Sequence, residues 1–244
     1  MAKGLNIQIF SDFDGTISLQ DTGCLVIDDP RCLGFDRRRE LDHLILNKKV
    51  SFRDGLEEMW AAVTLSWEEA WNDHLSLVKV DPGFSDFYDY CKSVAIPVKI
   101  VSSGIYDVIE QIMENFIGDR AKEIEIISNS GGVEGRKWSI KWLDDTPFGH
   151  DKSLTLKKAR EQAPDDCIFI FCGDGVSDIS AAQHADILFA RHGRDLEVYC
   201  QRENVPFRGF DTFAEVQEIV SKLVNGTIKL ERDEKTGFCS LIDV

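Results

Sequence analysis

Short apolar runs alternating with helix-patterned segments predict an α/β fold, a parallel sheet sandwiched by helices and interrupted by one helical insert. Three observations carry this. Largely apolar runs at 6–10, 96–101, 124–127, 168–172 and 187–190 lack the strict alternation of half-exposed strands, as strands buried on both faces do. Apolar residues at helical spacing fill 105–116 and 153–163, between such runs. The stretch between the first and second runs has little strand character and reads as helices instead.

Within that stretch, 35–46 and 51–63 are amphipathic, with Ser51 and Asp54 as N-terminal caps. Segment 66–77 opens with Ser66 and, three residues on, Glu69, the pattern of a capping box. The expected organisation is a core of 1–17 and 82–225, a helical cap of 18–81, and a polar, loose tail at 226–244. Pro82-Gly83 marks re-entry into the core. Turn signals at Gly131-Gly132 and Glu134-Gly135, with alternation over 133–142, predict a small antiparallel hairpin within 126–142, and 212–223 predicts the last helix.

The chain of 244 residues is 43% hydrophobic, enough for one sizeable core with a small accessory domain. Its formal net charge of -15 disfavours nucleic acid and anionic membrane surfaces as partners, because both are held by Lys and Arg. Any anionic substrate would need local positive charge, from a cation and a few basic residues. Seven cysteines with no Cys-x-x-Cys pair or Cys/His cluster fit a reducing compartment, cytosolic or nuclear. The first residues lack a signal-like apolar stretch, and no apolar run approaches the roughly 20 residues of a membrane helix. Composition sets no oligomeric state. The run Arg37-Arg38-Arg39 reads as a solvated helix face.

Four places carry chemistry. The first run ends in Ser11-Asp12-Phe13-Asp14-Gly15-Thr16, whose two acids share one side of an extended chain. They stand where ligands bind in open α/β sheets, and their repulsion calls for a cation. The second run ends in Val101-Ser102-Ser103-Gly104 just ahead of a helix, where a hydroxyl and free amides make an anion site. The run at 168–172 ends in Gly173-Asp174-Gly175-Val176-Ser177-Asp178, oxygen donors suited to magnesium, with glycines allowing close approach. Lys152 opens a helix after Gly149-His150-Asp151. Taken singly, these also read as acidic turns, a helix cap and a surface lysine.

In this order they resemble the four motifs of haloacid dehalogenase-type phosphatases. Asp12-Phe13-Asp14-Gly15-Thr16 looks like the first motif, Ser102 the second, Lys152 the third and Gly173 to Asp178 the fourth. The resemblance implies a Rossmann-like core and a role for each residue. Asp12 would attack phosphorus. Asp14 would protonate the leaving alkoxide and then activate water. Thr16 would hold Asp14 or its turn. Ser102, Ser103 and Gly104 would bind phosphoryl oxygens, and Lys152 would offset charge at Asp12. Magnesium would be held by Asp12, the Asp14 carbonyl oxygen and Asp174, with Asp178 in its outer shell or holding Lys152. The second acid, Asp14, favours a hydrolase over the dehalogenases and phosphate-transfer pumps of the superfamily.

The position of the insert resembles the type-one cap of the phosphoserine phosphatase branch, which implies a small phosphorylated metabolite as substrate. Segment 33–56, with Val50-Ser51-Phe52-Arg53-Asp54-Gly55, resembles fungal polyol 5-phosphate phosphatases. Segment 171–190 with Val205-Pro206-Phe207 resembles these and the phosphatases of methionine salvage. Gly34 and Arg53 become candidates for the substrate side of the cap. The leading substrate is a short polyol or sugar phosphate such as ribitol 5-phosphate; a methionine-salvage phosphatase, a phosphoserine phosphatase and a non-catalytic phosphometabolite-binding regulator are the rival readings.

Overall fold

The computed structural model describes residues 5–233 and 237–244; residues 1–4 and 234–236, parts of the expected core segment and tail, lie outside the described residues. Seven strands form one mostly parallel sheet, in the order β4-β3-β2-β1-β5-β6-β7. They are β1 (Ile7–Ser11), β2 (Val98–Ile105), β3 (Glu125–Glu134), β4 (Lys137–Lys141), β5 (Ile168–Gly173), β6 (Ile187–Arg191) and β7 (Arg208–Phe210). The chain divides into two compact units. The first holds Met1–Ile17, Val80–Val101 and Lys152–Val244; the second holds Ser18–Lys79 and Ser102–Asp151.

In the first unit β1 pairs in parallel with β2 on one side, Ser11 opposite Ile100, and with β5 on the other, Ser11 opposite Cys172. Every residue of β5 and β6 is buried, as their unbroken apolar runs require. Helices α5 (Phe84–Ser93), α7 (Lys152–Gln162), α8 (Ile179–Ala182), α9 (Asp195–Glu203) and α10 (Phe213–Val224) belong to this unit. Phe213 meets Phe84 edge-on at 5.0 Å and Phe87 at 5.1 Å, which locks α10 to α5. Thr212 caps α10 in a capping box with Glu215.

The expected loose tail is instead ordered at both ends. β8 (Ile228–Arg232) pairs antiparallel with β9 (Cys239–Asp243), bringing Leu230 opposite Leu241. Ile228 is buried, and Arg232 donates to the buried Asp186 carboxylate. A polar stretch thus gains order from backbone pairing and one charge contact, neither of which composition announces.

The second unit contains α1 (Thr22–Ile27), α2 (Phe35–Leu46), α3 (Phe52–Ala61), α4 (Trp67–Asp73), α6 (Tyr106–Ile117) and the β3–β4 hairpin. Ser51 accepts from the Asp54 amide at the start of α3, and Ser66 and Glu69 form the expected capping box on α4. Trp138 of β4 fastens the hairpin to this unit's helices. Its Nε1 donates to the Leu65 carbonyl at 2.7 Å, and its ring stacks on Trp60 and Trp67. The three arginines of α2 are not uniformly solvated. Arg37 is exposed with Glu40 and Glu58, whereas Arg38 is buried between Asp28 and Asp42. Two carboxylates on Arg38 meet the cost that keeps an arginine at the surface.

Candidate active site

The parallel register of β1 and β5 sets the site. Both strands end on the same side, so Asp12 and the segment from Gly173 leave the sheet as neighbours. The Asp12 amide donates to the Cys172 carbonyl at 2.8 Å. The chain then turns tightly, with the Thr16 and Ile17 amides both bonded to the Phe13 carbonyl. Asp14 lies half-buried in this turn. Gly15 has φ +77°, and a Cβ there would collide with the Asp174 carboxylate. Only glycine permits that turn so close to a carboxylate.

Behind Asp174, Asp178 closes a short helical turn, Val176–Asp178. Its Oδ2 accepts from the Asp174 and Gly175 amides, both at 3.0 Å. Its Oδ1 accepts from Lys152 Nζ at 2.7 Å, and the same ammonium donates to Asp12 Oδ1 at 2.5 Å. Lys152, the first residue of α7, and Asp178 are fully buried, and Asp12 is 4% exposed. The Thr16 hydroxyl stands 3.3 Å from Asp12 Oδ2 and 3.4 Å from Asp174 Oδ1.

The electrostatics follow from this arrangement. Burial pushes the Asp12 carboxyl well above the usual carboxylate range; the Asp178 charge adds to the effect, and Lys152 opposes it. Burial alone would depress the Lys152 ammonium, but the Asp12 and Asp178 charges outweigh it and raise its pKa above the ordinary lysine value. One buried cation therefore faces an excess of carboxylates. Oxygens of Asp12, Asp174 and Asp178 lie within 4.8 Å of one another. Hard anionic oxygens in such a cluster match the donors magnesium takes.

The other expected site residues belong to the second unit. Ser102 is buried in β2, two residues beyond Ile100, and its Oγ accepts from the Gly104 amide at 2.9 Å, leaving its own proton to donate. The Ser103 hydroxyl oxygen is buried without a partner among the described residues. Arg53 donates its amide to the Pro147 carbonyl, and its guanidinium lies over Trp142 and 3.8 Å from Asp145.

Two residues that sequence reasoning passed over hold the Ser102 segment. The buried His150 Nδ1 bonds to the Ser102 carbonyl at 2.7 Å, and the buried Asn129 Nδ2 donates to the Ser103 carbonyl at 2.8 Å. The placing of His150 two residues before Lys152 was the available signal for the first. Nothing in the pattern of 124–134 marks the second.

Comparison with known proteins agrees with this geometry. Residues 9–183 match the family model of haloacid dehalogenase-like hydrolases. The chain is 42% identical over 227 residues to Pdp3-interacting factor 1 of Schizosaccharomyces pombe, covering 91% of this chain and 98% of that protein. It is 35% identical over 232 residues to the polyol phosphate phosphatase PYP1 of Saccharomyces cerevisiae, covering 89% and 94%. A solved phosphoserine phosphatase, a phospho-aspartyl intermediate analogue, superposes with a TM-score of 0.65 at 17% identity, over 90% of this chain and 99% of that one. A parallel sheet flanked by helices, an acid-rich site at its strand ends and matches over most of the chain give one answer: this chain belongs to the haloacid dehalogenase-like hydrolase family and is one of its phosphatases.

Proposed function

We propose that the protein is a magnesium-dependent phosphomonoester hydrolase that works through an aspartyl-phosphate on Asp12, with a short polyol or sugar phosphate such as ribitol 5-phosphate as substrate. The observation that carries the mechanism is the buried ammonium of Lys152 shared between Asp12 and Asp178. It opposes the burial and the Asp178 charge that favour the protonated form of Asp12, and so works toward the carboxylate that serves as nucleophile.

Asp12 attacks phosphorus, and the bond from phosphorus to the ester oxygen breaks. The alkoxide leaves with the proton of the Asp14 carboxyl. Asp14, now a carboxylate, takes a proton from water, whose oxygen attacks the aspartyl-phosphate; inorganic phosphate leaves and Asp12 is regenerated. Lys152 balances charge at Asp12 throughout. Asp178, whose oxygens serve Lys152 and two amides, fixes that lysine and the loop around Asp174. Ser102, Ser103 and Gly104 take the phosphoryl oxygens, and Thr16 holds the Asp12 and Asp174 carboxylates in register. Magnesium would be held by Asp12, Asp174 and the Asp14 carbonyl oxygen, and when bound would neutralise phosphoryl charge as a Lewis acid.

The polyol preference rests on the resemblance of 33–56 to polyol 5-phosphate phosphatases and on the similarity to PYP1 over most of the chain. Arg53, beside Trp142, is the candidate on the substrate side of the cap, with 18–81 as the cap and 1–17 with 82–225 as the core. No described helix is long and apolar enough to cross a membrane. The seven cysteines are all free, and from this cysteine usage we read the working compartment as a reducing one, cytosolic or nuclear.

Phosphate release from a panel tests this reading, with ribitol 5-phosphate, other polyol and sugar phosphates, phosphoserine and a methionine-salvage phosphate, each with EDTA and with magnesium. Magnesium-dependent release concentrated on polyol phosphates is expected. Release concentrated on phosphoserine or the methionine-salvage ester would overturn the substrate assignment. Undiminished release in EDTA would overturn the metal requirement.

A further inference from the structure

Outside the motifs, one buried group reaches the catalytic loop from behind. Arg191, the last residue of β6, is 7% exposed, and its guanidinium lies over the Phe210 ring. Its Nη2 pairs with Asp81 Oδ2 at 2.6 Å and also donates to the Thr16 carbonyl at 3.1 Å. Its Nη1 donates to the Asp211 carbonyl at 2.5 Å. Asp81 is fully buried, and its other oxygen accepts from the Thr212 hydroxyl at 2.9 Å, the Gly83 amide at 2.9 Å and the Phe213 amide at 3.3 Å.

The location gives this cluster a consequence. The first unit leaves off at Ile17 and resumes at Val80. The Asp81 amide donates to the Ile17 carbonyl at 2.8 Å, so the outgoing and returning chains are stitched together there. Arg191 ties both to the sheet, the outgoing chain through Thr16 and the returning chain through Asp81. Thr16 is also the residue whose hydroxyl faces Asp12 and Asp174. Neutralising Asp81 needs one cation of any shape. Reaching a carboxylate and two carbonyls on separate segments needs the planar fork of a guanidinium.

We propose that Arg191 is a positioning residue of the active site, acting through Thr16 and Asp81 to hold the loop of Asp12 and Asp14 in register with Asp174. The proposal rests on the phosphatase reading for its kinetic consequence, but its effect on the carboxylate cluster can be read without turnover.

The test compares Arg191→Lys with Val216→Ala, a truncation in the buried face of α10. Lysine keeps the charge opposite Asp81 and loses the fork. With p-nitrophenyl phosphate, Arg191→Lys should lower kcat by about 10- to 100-fold, the cost of small misplacement of reacting groups, and leave KM little changed. Calorimetric titration with magnesium alone should show weaker binding. Val216→Ala should lower Tm and retain wild-type kcat and magnesium binding. If Arg191→Lys does not fold, Asp81→Asn, which keeps the shape and the Oδ1 acceptor, should show the same two losses. Wild-type kcat and magnesium binding in the Arg191 or Asp81 variant would overturn the proposal and leave a structural ion pair. If the wild-type protein hydrolyses no ester, the phosphatase reading fails, and the magnesium titration still decides the role of Arg191.

Discussion

Lys152 and Asp12 form an ion pair sealed from water, Nζ to Oδ1 2.5 Å, in which the same ammonium also serves Asp178. Two carboxylates to one cation make the partners unequal. Lys152→Met leaves two buried carboxylates facing each other, and in EDTA it should cost about 3–5 kcal/mol of stability. Asp12→Asn leaves one ammonium facing one carboxylate and should be no less stable than wild type. Urea unfolding followed by ellipticity measures both, and magnesium should restore part of the loss in Lys152→Met. Equal losses in the two variants would show that the pair behaves as an isolated salt bridge.

The same imbalance fixes a pH dependence. Burial and the Asp178 charge raise the Asp12 pKa, against the pull of Lys152, so between the ordinary carboxylate value and the raised one the folded protein binds more protons than the unfolded chain. The contribution of Asp12 to metal-free stability is therefore fully present below the unfolded value and is lost as pH rises through the folded one. In EDTA, the stability of Asp12→Asn relative to wild type should grow with pH across that window and then level off. Urea midpoints at a series of pH values measure it. A gap that shrinks with rising pH would mean that the Asp12 pKa is depressed.

Ser102→Ala removes a hydroxyl proposed to donate to a phosphoryl oxygen. A hydrogen bond to a charged group is worth about 1.5–3 kcal/mol, so the KM for phosphate esters or the Ki of inorganic phosphate should rise about 10-fold or more. The Gly104 amide also loses its acceptor. Unchanged phosphate affinity would remove Ser102 from the binding set.

All five tryptophans, Trp60, Trp67, Trp71, Trp138 and Trp142, lie in the second unit, so their fluorescence reports on it alone. Trp138→Ala deletes two ring stacks and the bond to Leu65 and should cost about 3–5 kcal/mol there. The urea midpoint by fluorescence should fall further than the midpoint by ellipticity. Coincident shifts would mean that the two units unfold as one.

What the sequence disclosed followed from local chemistry. The strands of β5 and β6 were legible because burial on both faces leaves an unbroken apolar run. The caps at Ser51 and Ser66 were legible because a short side chain satisfying an amide three residues away is a local event. Helices α1, α5 and α9 went unread. α1 is short, and α5 and α9 are broken up by charged and aromatic residues whose burial depends on partners elsewhere, as Phe84 depends on Phe213. The acids of the site were visible because strand ends concentrate them. Arg191 and Asp81 were not, since they are 110 residues apart and each alone reads as a surface charge. The same holds for Arg38, whose neighbours Arg37 and Arg39 suggested a solvated face.

The central claim is that Asp12 carries the phosphoryl group. Asp14→Asn should slow hydrolysis of the intermediate, and p-nitrophenyl phosphate, whose leaving group needs no proton, should still form it. Mixing the two with magnesium and reducing the quenched protein with borohydride converts any aspartyl-phosphate to homoserine, which peptide mass spectrometry locates. The account predicts a stoichiometric burst of p-nitrophenol and homoserine at position 12. A burst with homoserine at another acid, or steady turnover with no burst and no modified peptide, would contradict it.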